Sequence, residues 1–216
     1  PAFFSEWIDS FYARDILELF GIRNRQGFLG LFRLLLRHSA GQLDYSHLAN
    51  LSEMSRVTVK AHIEAMQIAH VVHLLRPFHG GGKREIVSRP KCYCFDTGFV
   101  TFEKGWDTIR NEDRGLLWEH LVLDSLRFHY ADDDIYYWQD KSRREIDFVI
   151  RRGRDRVDVV ECKINPDRLD ATPVEAFRAL YADGDNYIVS PAVRSPTPLR
   201  RGKLVFNAIN TGDLPL

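Results

Sequence analysis

Apolar side chains recur at helical spacing from the start of the chain. Trp7, Ile8, Phe11, Ile16, Leu17 and Phe20 share one face of a helix predicted over 7–20, and Gly21 marks its end. A second helix, about 26–38, carries Phe28, Leu31, Phe32, Leu34, Leu35 and Leu36, with Gly41 after it. Residues 44–66 then read as a helix-turn-helix. Asp44 or Ser46 can cap a short helix through Leu48 and Leu51, Glu53-Met54 makes the turn, and Ser55 caps a helix holding Val57, Val59, Ile63 and Met66. The pattern next shortens to strands, Val71–Leu75 and Glu85–Cys94, around the tip His79-Gly80-Gly81-Gly82-Lys83-Arg84. A helix-turn-helix followed by a β-hairpin is the winged-helix pattern.

After an irregular stretch, the second half alternates differently. A helix is predicted over about 113–130, strands near 135–139, 145–151 and 157–163, a helix over 171–182, and strands near 186–190 and 203–207. Pro191, Pro196 and Pro198 mark a loop before the last strand. This αβββαβ order predicts one mixed α/β domain. The expected organisation is therefore 1–95, helical segment and winged helix; 96–112, linker; and 113–216, α/β domain.

Composition narrows the class. With 216 residues, 44% of them hydrophobic and 12% aromatic, the chain can fill one large core or two small ones, which excludes disorder. The formal net charge is zero, so any nucleic-acid surface must come from local patches. No apolar run reaches the roughly 18 residues of a membrane helix, and no signal peptide is visible. Three cysteines without framework spacing, Cys92, Cys94 and Cys162, predict reduced thiols and a cytoplasmic setting. The chain begins at Pro1 without Met and reads as a piece of a longer protein.

Candidate chemistry concentrates in the second half. Strand alternation puts Glu145, Asp147 and Val149 on one face, with Ile146, Phe148 and Ile150 as core on the other. In the next strand Glu161 and Lys163 share a face. Neighbouring strands can thus bring Asp147, Glu161 and Lys163 together. Two carboxylates there repel unless a positive charge lies between them, and Mg²⁺ or Mn²⁺ suits such oxygen donors. Glu119 lies on the apolar stripe of its helix with Leu116, Val122, Leu123, Leu126 and Tyr130, so it is expected to face the same spot. The plainer alternative is an exposed Glu-x-Lys pair on a strand edge.

Local charge is uneven. The hairpin region 76–91 holds Arg76, Lys83, Arg84, Arg89 and Lys91 against Glu85, and 141–156 holds seven bases against three acids. The second helix of the helix-turn-helix adds Arg56 and Lys60. Such patches suit phosphate contacts, although solvated turns or a protein-docking wing would look alike. Gly82-Lys83 fails as a phosphate-binding loop, because the first glycine of that motif falls at Pro77 and Arg84 replaces Ser/Thr. The scattered histidines, His62, His70 and His73 among them, lack a ligand set.

Taken in order, several short motifs resemble a known family. They are Tyr12-Ala13-Arg14-Asp15, the helix-turn-helix, Pro77 with Lys83-Arg84, Pro90-Lys91 leading to Asp96-Thr97-Gly98, and Gly115 before Glu119. Tyr137-Trp138, Glu145-Ile146-Asp147-Phe148 and Glu161-Cys162-Lys163 complete the set. From Trp7 to Ser190 the chain resembles the C-terminal region of bacterial and archaeal AAA+ family ATPases that carry a domain of unknown function. Gln139 and His120 depart from it where Arg and Asn are frequent. The resemblance implies a PD-(D/E)XK nuclease-like fold for 113–216 and an N-terminal AAA+ ATPase module in cis. ATP would bind only to that module, which is absent from this chain.

These readings converge on a Mg²⁺- or Mn²⁺-dependent nuclease acting on DNA. Asp147, Glu161, the Cys162 carbonyl and Glu119 would hold the ion, Lys163 would complete the catalytic set, and Arg56, Lys60, Lys83 and Arg84 would bind DNA. A non-catalytic DNA- or protein-binding regulatory domain of an ATPase is the alternative. A domain that assembles a homo-oligomer is a third.

Overall fold

The computed structural model describes residues 2–80, 89–153 and 156–214. Two compact units emerge, one from residues 2–74 and 89–109 and the other from 75–80 and 110–214.

The first unit opens with α1 (Ala2–Phe11), which runs through a π-helical turn (Tyr12–Ile16) into α2 (Leu17–Phe20). Gly21 ends it in the left-handed region at φ 63°. After α3 (Arg25–Arg37) and the short β1 (Gly41–Gln42) come α4 (Tyr45–Leu51) and α5 (Arg56–Ile68). The expected caps form. Asp44 accepts hydrogen bonds from the Ser46 and His47 amides, Ser55 accepts one from Thr58, and Glu53 takes φ 53° in the turn between them. β2 (Val72–Leu75) and β3 (Lys91–Cys94) complete a sheet ordered β1-β3-β2. The core joins Phe28, Leu31, Phe32 and Leu35 of α3 to Val59, Ile63 and Met66 of α5, all buried. Two expectations need correction. Val57 is 78% exposed and belongs to the outer face of α5. The supposedly irregular stretch after residue 95 contains α6 (Thr97–Glu103), capped by Asp96.

The second unit is a mixed six-stranded sheet with two helices. After α7 (Arg114–His129) the strands are β4 (Ile135–Gln139), β5 (Glu145–Arg151) and β6 (Val157–Cys162). They are followed by α8 (Thr172–Arg178), β7 (Asn186–Val189), β8 (Thr197–Arg201) and β9 (Leu204–Ile209). Spatial order is β4-β5-β6-β7-β9-β8. β4, β5 and β6 pair antiparallel, and β7 joins β6 in parallel, as does β9 to β7. Ile146, Phe148, Val149 and Ile150 are all fully buried, so both faces of β5 are covered, but the expected alternation fails: a register shift against β4 puts Ile146 in the same cluster as Val149. On one side, Val174 and Phe177 of α8 pack with Val149, Val159, Ile188 and Phe206. Residues Arg76 and Phe78 bond to Tyr137 and line the outer edge of β4. The proline-marked loop contains strand β8, which pairs antiparallel with β9. As an edge strand it tolerates Pro198, whose missing N–H costs the ladder little there.

Candidate functional site

The β5–β6 register places Phe148 opposite Val160 and Val149 opposite Val159. The paired stretch ends at Phe148 and Val160, one residue short of Asp147 and Glu161. Asp147 Oδ2 accepts a hydrogen bond from the Cys162 amide at 2.8 Å. β6 ends there, and Lys163 follows. Its ammonium donates to Glu161 Oε2 at 2.7 Å and to Asp147 Oδ2 at 3.3 Å. The three expected side chains therefore meet at the C-terminal end of β6.

Burial makes this cluster electrostatically tense. The Glu161 side chain is 4% exposed, against 18% for Asp147 and 27% for Lys163. Its Oε1 atom is buried with no hydrogen-bond partner among the described residues. Burial first, and then the Asp147 charge, push the Glu161 carboxyl up to about 8, against the pull of Lys163. For Lys163 burial acts downward, but Asp147 and Glu161 outweigh it and hold the ammonium above its ordinary range. Burial also lifts the Cys162 thiol, helped by Asp147 and Glu119.

Glu119 is half-buried, and its charge acts on both Glu161 and Cys162 from α7. The residue before it was not singled out by sequence reasoning. Trp118 Nε1 donates to the Val189 carbonyl at 2.8 Å, and the Lys163 amide donates to that same oxygen at 3.1 Å. One carbonyl thus ties α7 to the residue bearing the ammonium. A tryptophan beside an inward glutamate was the available signal. Among the described residues, no three His, Cys, Asp or Glu side chains converge closely enough to form a ready metal cage. A cation here would draw on two carboxylates and backbone oxygen.

A family model described as a domain of unknown function, DUF8612, matches residues 2–109, half of the chain. The chain belongs to the DUF8612 family. Beyond its DUF8612 half, residues 114–205 match a second domain of unknown function, DUF4143, which is often found with AAA ATPases. Uncharacterized proteins of Mycobacterium tuberculosis and Mycobacterium bovis are each 31% identical over 150 residues, covering 67% of this chain and 34% of theirs. An uncharacterized protein of Methanocaldococcus jannaschii is 25% identical over 151 residues, covering 67% and 33%. The matches thus span about a third of the length of these relatives. A solved chain from a tetradecameric assembly of Thermococcus gammatolerans McrB AAA+ hexamers with bound McrC is 13% identical, with a TM-score of 0.34. It covers 85% of this chain and 48% of that one, too distant a likeness to carry an argument.

In the DUF8612 half, Arg56 and Lys60 are exposed on α5 beside Val57, and the Lys60 ammonium lies 5.5 Å from the centre of the Tyr45 ring. Lys83 and Arg84 lie outside the described residues. No described helix is long and apolar enough to cross a membrane.

Proposed function

We propose that this chain is the nucleic-acid-processing part of a longer, ATPase-linked protein, with a winged helix in its first unit and a PD-(D/E)XK nuclease-like domain in its second. The element order α3-β1-α4-α5-β2-β3 supports the first assignment, and the α7-β4-β5-β6-α8-β7 order with a parallel β6–β7 pair supports the second. The AAA+ module in cis is inferred from the company DUF4143 keeps and from the greater length of the relatives.

The observation that carries the reading is the buried, unpartnered Oε1 of Glu161 beside a second carboxylate. Such an atom costs stability unless something uses it. Asp147, Glu161 and the Cys162 carbonyl would hold a hard divalent cation, Mg²⁺ or Mn²⁺, with Glu119 contributing from α7; these are the oxygen donors such ions prefer. The ion would lower the pKa of a bound water and polarise a phosphodiester. Lys163, anchored through its amide to Val189, presents its ammonium to charge developing on phosphorus and orients the attacking water. In the first unit, Arg56 and Lys60, together with Lys83 and Arg84, would bind duplex phosphates.

The test is incubation of the full-length protein with plasmid and single-stranded DNA in Mn²⁺ and in EDTA. Metal-dependent cleavage lost in Asp147→Ala supports the enzyme. One observation favours the alternative, a non-catalytic DNA- or protein-binding regulatory domain: Lys163 already spans both carboxylates. DNA binding without cleavage in either metal would select it. For the winged helix, charge reversal at Arg56, Lys60, Lys83 and Arg84 should weaken duplex binding and flatten its salt dependence. Unchanged affinity at low salt would remove that surface from the reading.

A further inference from the structure

The β4–β5 turn is built more rigidly than its role as a connection requires. Asp140, itself buried, accepts hydrogen bonds from the Ser142 amide at 2.9 Å and the Arg144 amide at 3.0 Å, and its other oxygen takes the Arg144 guanidinium at 2.8 and 2.5 Å. The Arg143 amide closes back on the Asp140 carbonyl at 3.0 Å. Within this frame Arg143 is held at φ 61°, a left-handed conformation that costs a non-glycine residue about 1 kcal/mol or more. Glycine would fit there freely. The frame leaves Lys141 and Arg143 pointing outward, both exposed and neither with a partner among the described residues.

This turn opens β5 two residues before Asp147, counting from Glu145, so it stands at the sheet end that holds Glu161 and Lys163. Arg143 is four residues from Asp147, at most about 14 Å along an extended strand. We infer that the Asp140–Arg144 turn is a preformed phosphate clamp, in which Lys141 and Arg143 grip the backbone of a nucleic acid whose neighbouring phosphodiester reaches the Asp147–Glu161–Lys163 cluster. This inference rests on the nucleic-acid reading of that cluster and adds a place where the strand is held. Two unpaired cations on a strained, locked turn beside a carboxylate pair complement a polyanion, with the clamp holding the phosphates that the acids alone would repel.

A matched control exists on the same sheet. Arg200 and Lys203 flank the β8–β9 turn, are also exposed, and lie at the opposite end, because β9 starts beside the start of β7. The experiment measures binding of fluorescein-labelled single-stranded and duplex oligonucleotides to the full-length protein in EDTA across a salt series. Lys141→Gln/Arg143→Gln should weaken binding several-fold and reduce the single-strand salt slope by about 1.4, two contacts at about 0.7 each. Arg200→Gln/Lys203→Gln should leave both unchanged. Arg143→Gly separates binding from folding: it should raise the unfolding midpoint while lowering affinity. Parent-like binding by the clamp variant, equal weakening by both double variants, or no binding by the parent overturns the clamp. Cleavage in Mn²⁺, measured in parallel, keeps the two readings apart. Cleavage with an unaffected clamp variant leaves the nuclease standing, and a clamp effect without cleavage leaves only the clamp.

Discussion

β6 buries a carboxylate at each end, and the two are solved in opposite ways. At its start, the Asp158 side chain is 1% exposed; its Oδ1 accepts the Asp185 amide at 2.8 Å with Arg156 Nε at 3.6 Å, and its Oδ2, which like Glu161 Oε1 makes no hydrogen bond among the described residues, has the Arg152 guanidinium at 3.4 Å. Arg178 adds a third guanidinium nearby, donating to the carbonyls of Val157, Tyr181, Asp183 and Asp185. At its finish, Glu161 shares a single ammonium with Asp147 and feels Glu119 as well, and among the described residues its own unbonded oxygen has no cation of its own beside it. One end has cations to spare and serves the fold. The other is short of positive charge, the condition in which an added cation gains most from binding. Sign and number of neighbours, more than burial itself, separate a structural acid from a candidate ligand.

The largest effect should come from removing the scarce cation. Lys163→Met leaves two buried or half-buried carboxylates facing each other and should cost the second unit about 3 kcal/mol, read as a lower urea midpoint. Arg156→Gln, at the rich end, removes a half-exposed partner from an acid that keeps Arg152 and the Asp185 amide, so it should cost under about 1 kcal/mol. Similar losses at both ends would erase the contrast.

A pH series sharpens the same comparison. Glu161 is raised from 4.5 to about 8, so the folded state holds a proton that the unfolded chain releases. Stability owed to that proton is complete below 4.5 and is lost as pH climbs toward about 8, at up to about 1.4 kcal/mol per pH unit. Glu161→Gln has no proton to lose. Its stability relative to the parent should therefore grow through this window and level off above it. Lys163, raised from a higher starting value, stays charged throughout and adds no slope. A constant difference between Glu161→Gln and parent from pH 5 to 8 would mean that Glu161 is already ionised and satisfied.

Much of this was legible because it is local. Asp44 and Ser55 cap their helices through amides two or three residues away, and strand alternation brought Asp147, Glu161 and Lys163 together while missing the register shift that leaves Ile146 in one cluster with Val149. The failures have tertiary causes. β8 was hidden by prolines that only an edge position excuses, and α6 by its seven residues and a glycine in its first turn. Val57 fits the apolar period of α5 by type but not by angle. Asp158 attracted no notice although Arg152 and Arg156 lie six and two residues before it; only Arg178, on α8, reaches it from far along the chain. The orphan oxygen of Glu161 is likewise a property of packing, which no spacing rule displays.

The smallest expected effect tests whether α7 belongs to the cation-poor end or merely lies over it. Trp118→Phe keeps an aromatic ring but removes the N–H donor together with the five-membered half of the indole. The Val189 carbonyl still accepts from the Lys163 amide, so no buried acceptor is orphaned, and the loss should be about 1 kcal/mol, near the net worth of one hydrogen bond. Where that loss appears matters more than its size. If the indole bond ties α7 to the strand end, amide exchange should quicken in the first turns of α7, around Glu119, while the Lys163 amide stays protected by its own bond to Val189. At the cation-rich end, the Asp185 amide, held by Asp158, should exchange at its parental rate. Uniform acceleration across the second unit would instead mark Trp118 as ordinary packing, and Glu119 would then owe its approach to the rest of the helix.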